Sequence, residues 1–127
     1  MNKKESALAW GRQAERIVTE WLIAKGYTVR ETNWRPATSK SEIDIIAQID
    51  ETIAFVEVKA RTDRNIDPAD AIDKEKIKNV VRGANAYLRM QEFDFYYRFD
   101  VATVCGSPED YVLDYIVDAF LPPLTRR

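Results

Sequence analysis

Three side chains near the middle of the chain have types and spacing that could do chemistry together. Asp44 stands in "SEIDIIA", and Glu57 and Lys59 stand in "FVEVKAR". Strand side chains alternate between faces, so Glu57 and Lys59 point with Ile53 and Phe55, while Ala54, Val56, Val58 and Ala60 point the other way. One face is apolar throughout, and the other turns from apolar to charged at Glu57. Asp50-Glu51 reads as a tight turn between "EIDIIAQI" and "TIAFVEVKAR". A symmetrical pairing about that turn sets Asp44 opposite Glu57, with β-carbons about 5 Å apart. Two carboxylates so placed repel each other. A hard divalent cation between them turns repulsion into binding, because carboxylate oxygens are the ligands such ions prefer. Lys59, about 7 Å further along the same face, could stabilise charge on a phosphate or orient an attacking water. These are the parts of metal-assisted phosphodiester hydrolysis. Glu-Lys pairs also decorate solvated strand edges, and periodicity does not separate the two readings.

The elements that must position these residues follow from pattern. Between Glu5 and Lys25, Leu8, Ile17, Val18, Trp21 and Leu22 recur at helical spacing, and Gly26 sits where a C-terminal glycine belongs. This predicts a helix of about five turns. "YTVRETNW" predicts a first strand and "RPATSKS" a loop. The two strands of the hairpin come next. Asp67-Pro68 suits the start of a second helix, running to about Met90 with Ile72, Ile77, Val80, Val81, Ala84, Tyr87 and Leu88 as its apolar set. "FDFYYRFDVATVC" and "YVLDYIVDAF" predict two more strands around a "GSPED" turn, and "LPPLTRR" predicts a tail. The expected fold is therefore α/β, with a mixed β-sheet of about five strands flanked by helices in the order α-β-β-β-α-β-β. A single domain over residues 1–121 with a tail at 122–127 is the expected organisation.

Composition narrows the function classes. A 46% hydrophobic and 31% charged chain of 127 residues has the make-up of a globular domain and excludes wholesale disorder. No apolar run is long enough to span a bilayer, so no membrane role is expected. The single cysteine, Cys105, cannot form an internal disulfide. With charges interrupting the N-terminus before any apolar export core, a cytoplasmic location is expected. The 19 basic and 21 acidic residues give a net charge of −2. A nucleic-acid footprint would therefore have to be local.

The segments "GRQAE" (residues 11–15), "NWR" (33–35), "EIDII" (42–46), "FVEVKAR" (55–61), Lys76 with "ANAYL" (84–88) and "RFDV" (98–101) occur in order over residues 10 to 104. In them the chain resembles the PD-(D/E)XK nuclease superfamily, its Holliday-junction-resolvase-like branch, and most closely the small bacterial YraN-like endonuclease-like family. The resemblance implies a restriction-endonuclease-like core and a Mg²⁺- or Mn²⁺-dependent endonuclease acting on DNA, including branched DNA. It implies that Asp44 and Glu57 hold the metal with the backbone carbonyl of Val58, and that Lys59 is the catalytic lysine. Glu15 would complete the acidic cluster from the first helix, although its own spacing equally fits an exposed residue pairing with Arg12 or Arg16. Glu42 could support Asp44, while Lys76, Arg61 and Arg12 are candidates for nucleic-acid backbone contacts. Two nicks on opposite strands would call for a homodimer. Ser41 stands where the family usually has a glycine, and the glycine expected soon after "EVKAR" is missing from "TDRNIDP". Trp10, Trp21 and Trp34 are expected in the core or at its rim, and Arg98 and Asp100 are expected to be structural.

Overall fold

The computed structural model describes residues 2–37, 39–63 and 73–120. Helix α1 (Lys3–Ala24) begins at Asn2, whose side chain accepts a hydrogen bond from the Glu5 amide at 2.8 Å. That satisfies one of the amides every helix start leaves free. The helix ends as predicted at Gly26, where φ is 97°. Tyr27 and Gly26 donate back to the carbonyls of Leu22 and Ile23, both at 3.0 Å, the double closure that a left-handed glycine permits. Trp10, Ala14, Val18 and Leu22 are its buried row, at i, i+4 spacing. Leu8 is not part of it and is 56% exposed, because residues two apart on a helix face different ways.

Five strands follow: β1 (Thr28–Trp34), β2 (Ile43–Ile49), β3 (Thr52–Arg61), β4 (Tyr96–Ser107) and β5 (Asp110–Ile116), in spatial order β1-β2-β3-β4-β5. β3 and β4 run parallel, and the other neighbours are antiparallel. A parallel pair needs a crossover, and α2 (Lys74–Arg89) lies in it. The predicted order α-β-β-β-α-β-β is the observed one. The β2–β3 hairpin turns at Asp50 with φ 51°, and Ile49↔Thr52 through Ile45↔Val56 have the symmetrical register expected from that turn. α1 packs on one sheet face, against Ile45, Ala54, Val56, Ala102 and Val104. α2 packs on the other, against Ile46, Ile53, Phe55 and Phe99. The wholly apolar face of β3 is thus the one under α1, and the face that turns polar lies on the α2 side.

The larger differences from the expected element ends are at α2, at the start of β4 and at the end of β5. α2 is capped by Asp73, which is extended (φ −94°, ψ 173°) and accepts from the Lys76 amide at 2.8 Å. The helix described therefore starts at Lys74 and not at Asp67-Pro68, which lie outside the described residues. β4 starts at Tyr96 instead of Phe93, with the Tyr96 amide bonded to the Glu51 carbonyl at 3.0 Å. β5 stops at Ile116 instead of Phe120, because Asp118 turns the chain with φ 53°. The Asp118 amide then bonds Asp100 Oδ1 at 3.1 Å, and the Ala119 amide bonds the Phe99 carbonyl at 2.8 Å. Residues 121–127, which contain the expected tail, lie outside the described residues.

α2 approaches the sheet closely at Gly83. A β-carbon there would stand 3.2 Å from Ile43 Cδ1 and 3.3 Å from the Ser41 carbonyl oxygen. The bare backbone that the loop lacks at Ser41 is supplied by the helix facing it.

Trp10 is buried, Trp21 stacks on Tyr115 at 4.6 Å and Trp34 meets Tyr87 edge-on at 5.2 Å. All three are core or rim aromatics. Asp100 is buried and bonded to Arg98, Tyr115 and the Asp118 amide, which makes Arg98 and Asp100 structural.

Candidate functional site

One rung beyond Ile45↔Val56, the hairpin register brings Asp44 across from Glu57. Asp44 Oδ2 accepts a hydrogen bond from the Val58 amide at 2.8 Å, which ties the carboxylate to the neighbouring strand. Glu57 is 0% exposed. Lys76, on the first turn of α2, brings Nζ to 3.3 Å from Glu57 Oε2. That is ion-pair distance, although among the described residues neither Glu57 oxygen has a partner in good hydrogen-bond geometry. The Asp73 cap sets where the first turn of α2 begins, and with it where Lys76 stands.

The electrostatics follow from this crowding. Burial, and then the charge of Asp44, push the Glu57 carboxyl up to about 8, against the opposing pull of Lys76. Burial alone would lower Lys76, but Glu57, Asp44 and Glu42 outweigh it and hold the ammonium proton more tightly than usual. Glu15, on α1, is also raised, first by burial and then by Asp44, while a hydrogen bond from the Asn33 side chain and the charge of Arg12 pull the other way. Glu15, Glu42, Asp44 and Glu57 therefore share one acidic region, with Lys76 as its ion-paired cation.

The convergence expected of Glu15, Asp44 and Glu57 is not met in full. Among the described residues no three acidic or thiol side chains group as a metal site. Asp44 is held by the Val58 amide, Glu57 by Lys76 and Glu15 by the Asn33 side chain, so each carboxylate already has a protein group beside it. At Val58 it is the amide, not the carbonyl, that is engaged by a site side chain. Lys59 lies on the Glu57 face of β3, half-buried, and has no ion-pair or hydrogen-bond partner among the described residues. Lys76 faces the same region, as expected, but its ammonium is taken up by Glu57. Arg61 ends β3, and its carbonyl accepts from Trp10 Nε1 at 3.0 Å. Arg12 makes no ion pair with Glu15 among the described residues. The donor set nevertheless suits a hard cation: two carboxylates meet, and a buried oxygen of Glu57 has no hydrogen bond.

Two contributors escaped sequence reasoning. Asn33 adopts φ 49° at the end of β1, a backbone state asparagine tolerates better than most residues. Its position in "NWR" was the available signal. Arg30 sits at a register shift between Val29 and Glu31 and donates to Tyr87 Oη at 2.7 Å, Gln48 Oε1 at 2.6 Å and Gln91 Oε1 at 2.8 Å. It clamps the C-terminal half of α2 to β1 and β2, and no local pattern announces that.

A mixed five-stranded sheet flanked by helices, with an acid pair where β2 meets β3, is a nuclease-like α/β architecture of the kind found in the PD-(D/E)XK superfamily. The chain belongs to the YraN-like family described as "Uncharacterised protein family UPF0102", whose model matches residues 14–104. That span holds both Glu15 and the whole of the β3–α2–β4 crossover. A UPF0102 protein of Phocaeicola vulgatus is 34% identical over 116 residues, covering 91% of this chain and 94% of the relative. One of Bacteroides thetaiotaomicron is 37% identical over 115 residues, with 90% and 93% covered. One of Parabacteroides distasonis is 38% identical over 114 residues, with 89% and 93% covered.

Proposed function

We propose that this protein is a metal-dependent nuclease that hydrolyses phosphodiester bonds in DNA, branched DNA included. The observation that carries the reading is Glu57. A carboxylate wholly buried beside a second carboxylate, with one ammonium for compensation and no well-formed hydrogen bond to either oxygen among the described residues, is costly to the fold. Such a cost is expected at a site of function. Bound at Asp44 and Glu57, Mg²⁺ or Mn²⁺ would supply Lewis-acid stabilisation of the charge that builds up at the phosphate. The chain's own residues do the rest. The Val58 amide holds Asp44 in place, and Glu15 stands on the α1 side to hold water. Lys59, without a partner among the described residues, would present its ammonium to a phosphate oxygen. Arg12, on α1, and Arg61, at the end of β3, would touch the nucleic-acid backbone.

A second reading is a nuclease-fold protein that binds nucleic acid or a protein without cutting. The Lys76–Glu57 ion pair favours it, since a tethered ammonium already balances the buried charge. The two separate in one set of measurements. Under the nuclease reading, Mg²⁺ or Mn²⁺ raises the melting temperature, and Asp44→Ala abolishes the rise. Cleavage of duplex, flap, junction or single-stranded DNA then depends on the metal and disappears in Glu57→Ala. A metal-induced rise without cleavage of any of these substrates supports the binder.

A further inference from the structure

Among the described residues, the buried side-chain polar atoms without a partner belong to Glu57 and Thr103 alone. Both lie on the same sheet face. Glu57 pairs with Val101 and Lys59 with Thr103 across the parallel β3–β4 ladder, and paired residues share a face. Ala102 and Val104 point to the α1 side, which leaves Thr103 on the α2 side with Glu57. Thr103 is thus the immediate neighbour of Lys59 and stands roughly 8 Å on the diagonal from Glu57, one strand spacing across and two residues along.

Packing does not account for a hydroxyl here. Thr103 lies in "VATVC", is 3% exposed, and has an unpartnered Oγ1. Valine has nearly the same shape, is at least as good in a strand, and would carry no unmet polar atom. A buried hydroxyl without a partner, where valine would fit, needs an explanation, and a bound group is one that Lys59 beside it supports. Lys59, on the adjacent rung, has no ion-pair or hydrogen-bond partner among the described residues either. Across β4 from Lys59, in register with Thr103, stands Asp114 of β5, which is exposed. Its charge would repel an anion on the β5 side and leave the Lys59 side as the place for one.

We propose that Thr103 belongs to the substrate site. Its hydroxyl donates a hydrogen bond to a nonbridging oxygen of the phosphodiester whose charge Lys59 neutralises. This rests on the nuclease reading and adds a residue to it. Seating the phosphate draws the Lys59 ammonium onto the anion and gives Oγ1 the partner it lacks in the free protein.

The test pairs two measurements on the full chain. Binding of a fluorescein-labelled single-stranded DNA oligonucleotide is followed by anisotropy with Ca²⁺ present, and stability of the free protein is followed by urea unfolding. Thr103→Val is expected to be as stable as the parent or more so, yet to bind the oligonucleotide roughly tenfold more weakly, the scale of a lost hydrogen bond to a charged group. Thr103→Ser, which keeps the hydroxyl, should bind within about twofold of the parent. The proposal is overturned by parental binding in Thr103→Val, by equal weakening in Thr103→Ser, or by a marked loss of stability in Thr103→Val, which would reveal a partner inside the fold. It is overturned too if the parent binds no oligonucleotide. The metal-induced rise in melting temperature at Asp44 and Glu57 is read separately and reports on the nuclease reading itself.

Discussion

Replacing Glu57 by glutamine should make the protein more stable at mildly alkaline pH, and the size of the effect can be worked from the site. The carboxyl is raised from 4.5 to about 8, chiefly by burial and then by Asp44. Between those values the folded protein keeps a proton that the unfolded chain has released. Stability is therefore fully present below the unfolded value and falls as pH rises, by about 1.4 kcal/mol per unit. From about pH 5 to pH 8 that amounts to about 3–4 kcal/mol as a ceiling, since water entering the site would soften it. The sequence contains no histidine, so few other groups titrate in this window. Glu15 and Asp100 are also raised by burial, and the difference between parent and variant removes their share. Urea unfolding in EDTA at several pH values is the assay. The parent should lose stability steadily across the window, and Glu57→Gln should lose much less. Adding Mg²⁺ should flatten the parent's slope, because a cation takes over the proton's role, and should leave the variant unmoved. Parallel slopes for the two proteins would refute the reasoning, for Glu57 would then be no more perturbed than a surface carboxylate.

Two further outcomes follow from the same structure. Lys76→Met removes the ammonium 3.3 Å from Glu57 Oε2; it should cost about 1–3 kcal/mol near pH 8 and little near pH 5, where Glu57 is protonated, as read by the same urea series. Arg30→Met removes three side-chain hydrogen bonds, to Tyr87 of α2, to Gln91 just past its end and to Gln48 of β2; it should destabilise by about 2–4 kcal/mol while leaving the metal-induced rise in melting temperature intact.

What the sequence determined by itself is local, together with what local order entails. Alternation in "TIAFVEVKAR" told which side chains share a face, and Asp50-Glu51 marked the turn. A hairpin's register follows from its turn and its pleat, so Asp44 opposite Glu57 was legible before any tertiary contact was known. The element order was legible for the same reason, since each helix and strand carries its own period.

Tertiary structure decided which charges meet across elements far apart in the chain. Glu57 binds Lys76 because α2, within the parallel crossover, lands its first turn over the end of β3. Nothing in the spacing of residues 57 and 76 encodes that distance. Leu8 and Trp10 look equally apolar in a helical window, yet only the row at 10, 14, 18 and 22 meets the sheet, because the docking of α1 selects one stripe. Glu15 feels Asp44, Glu42 and Asn33 for a like reason, since only the docking of α1 brings its helix beside those segments. Thr103 passes in sequence for an ordinary strand threonine and becomes conspicuous only when burial leaves its hydroxyl without a partner. Periodicity is a property of neighbours along the chain, whereas burial and ion pairing are properties of the packed whole.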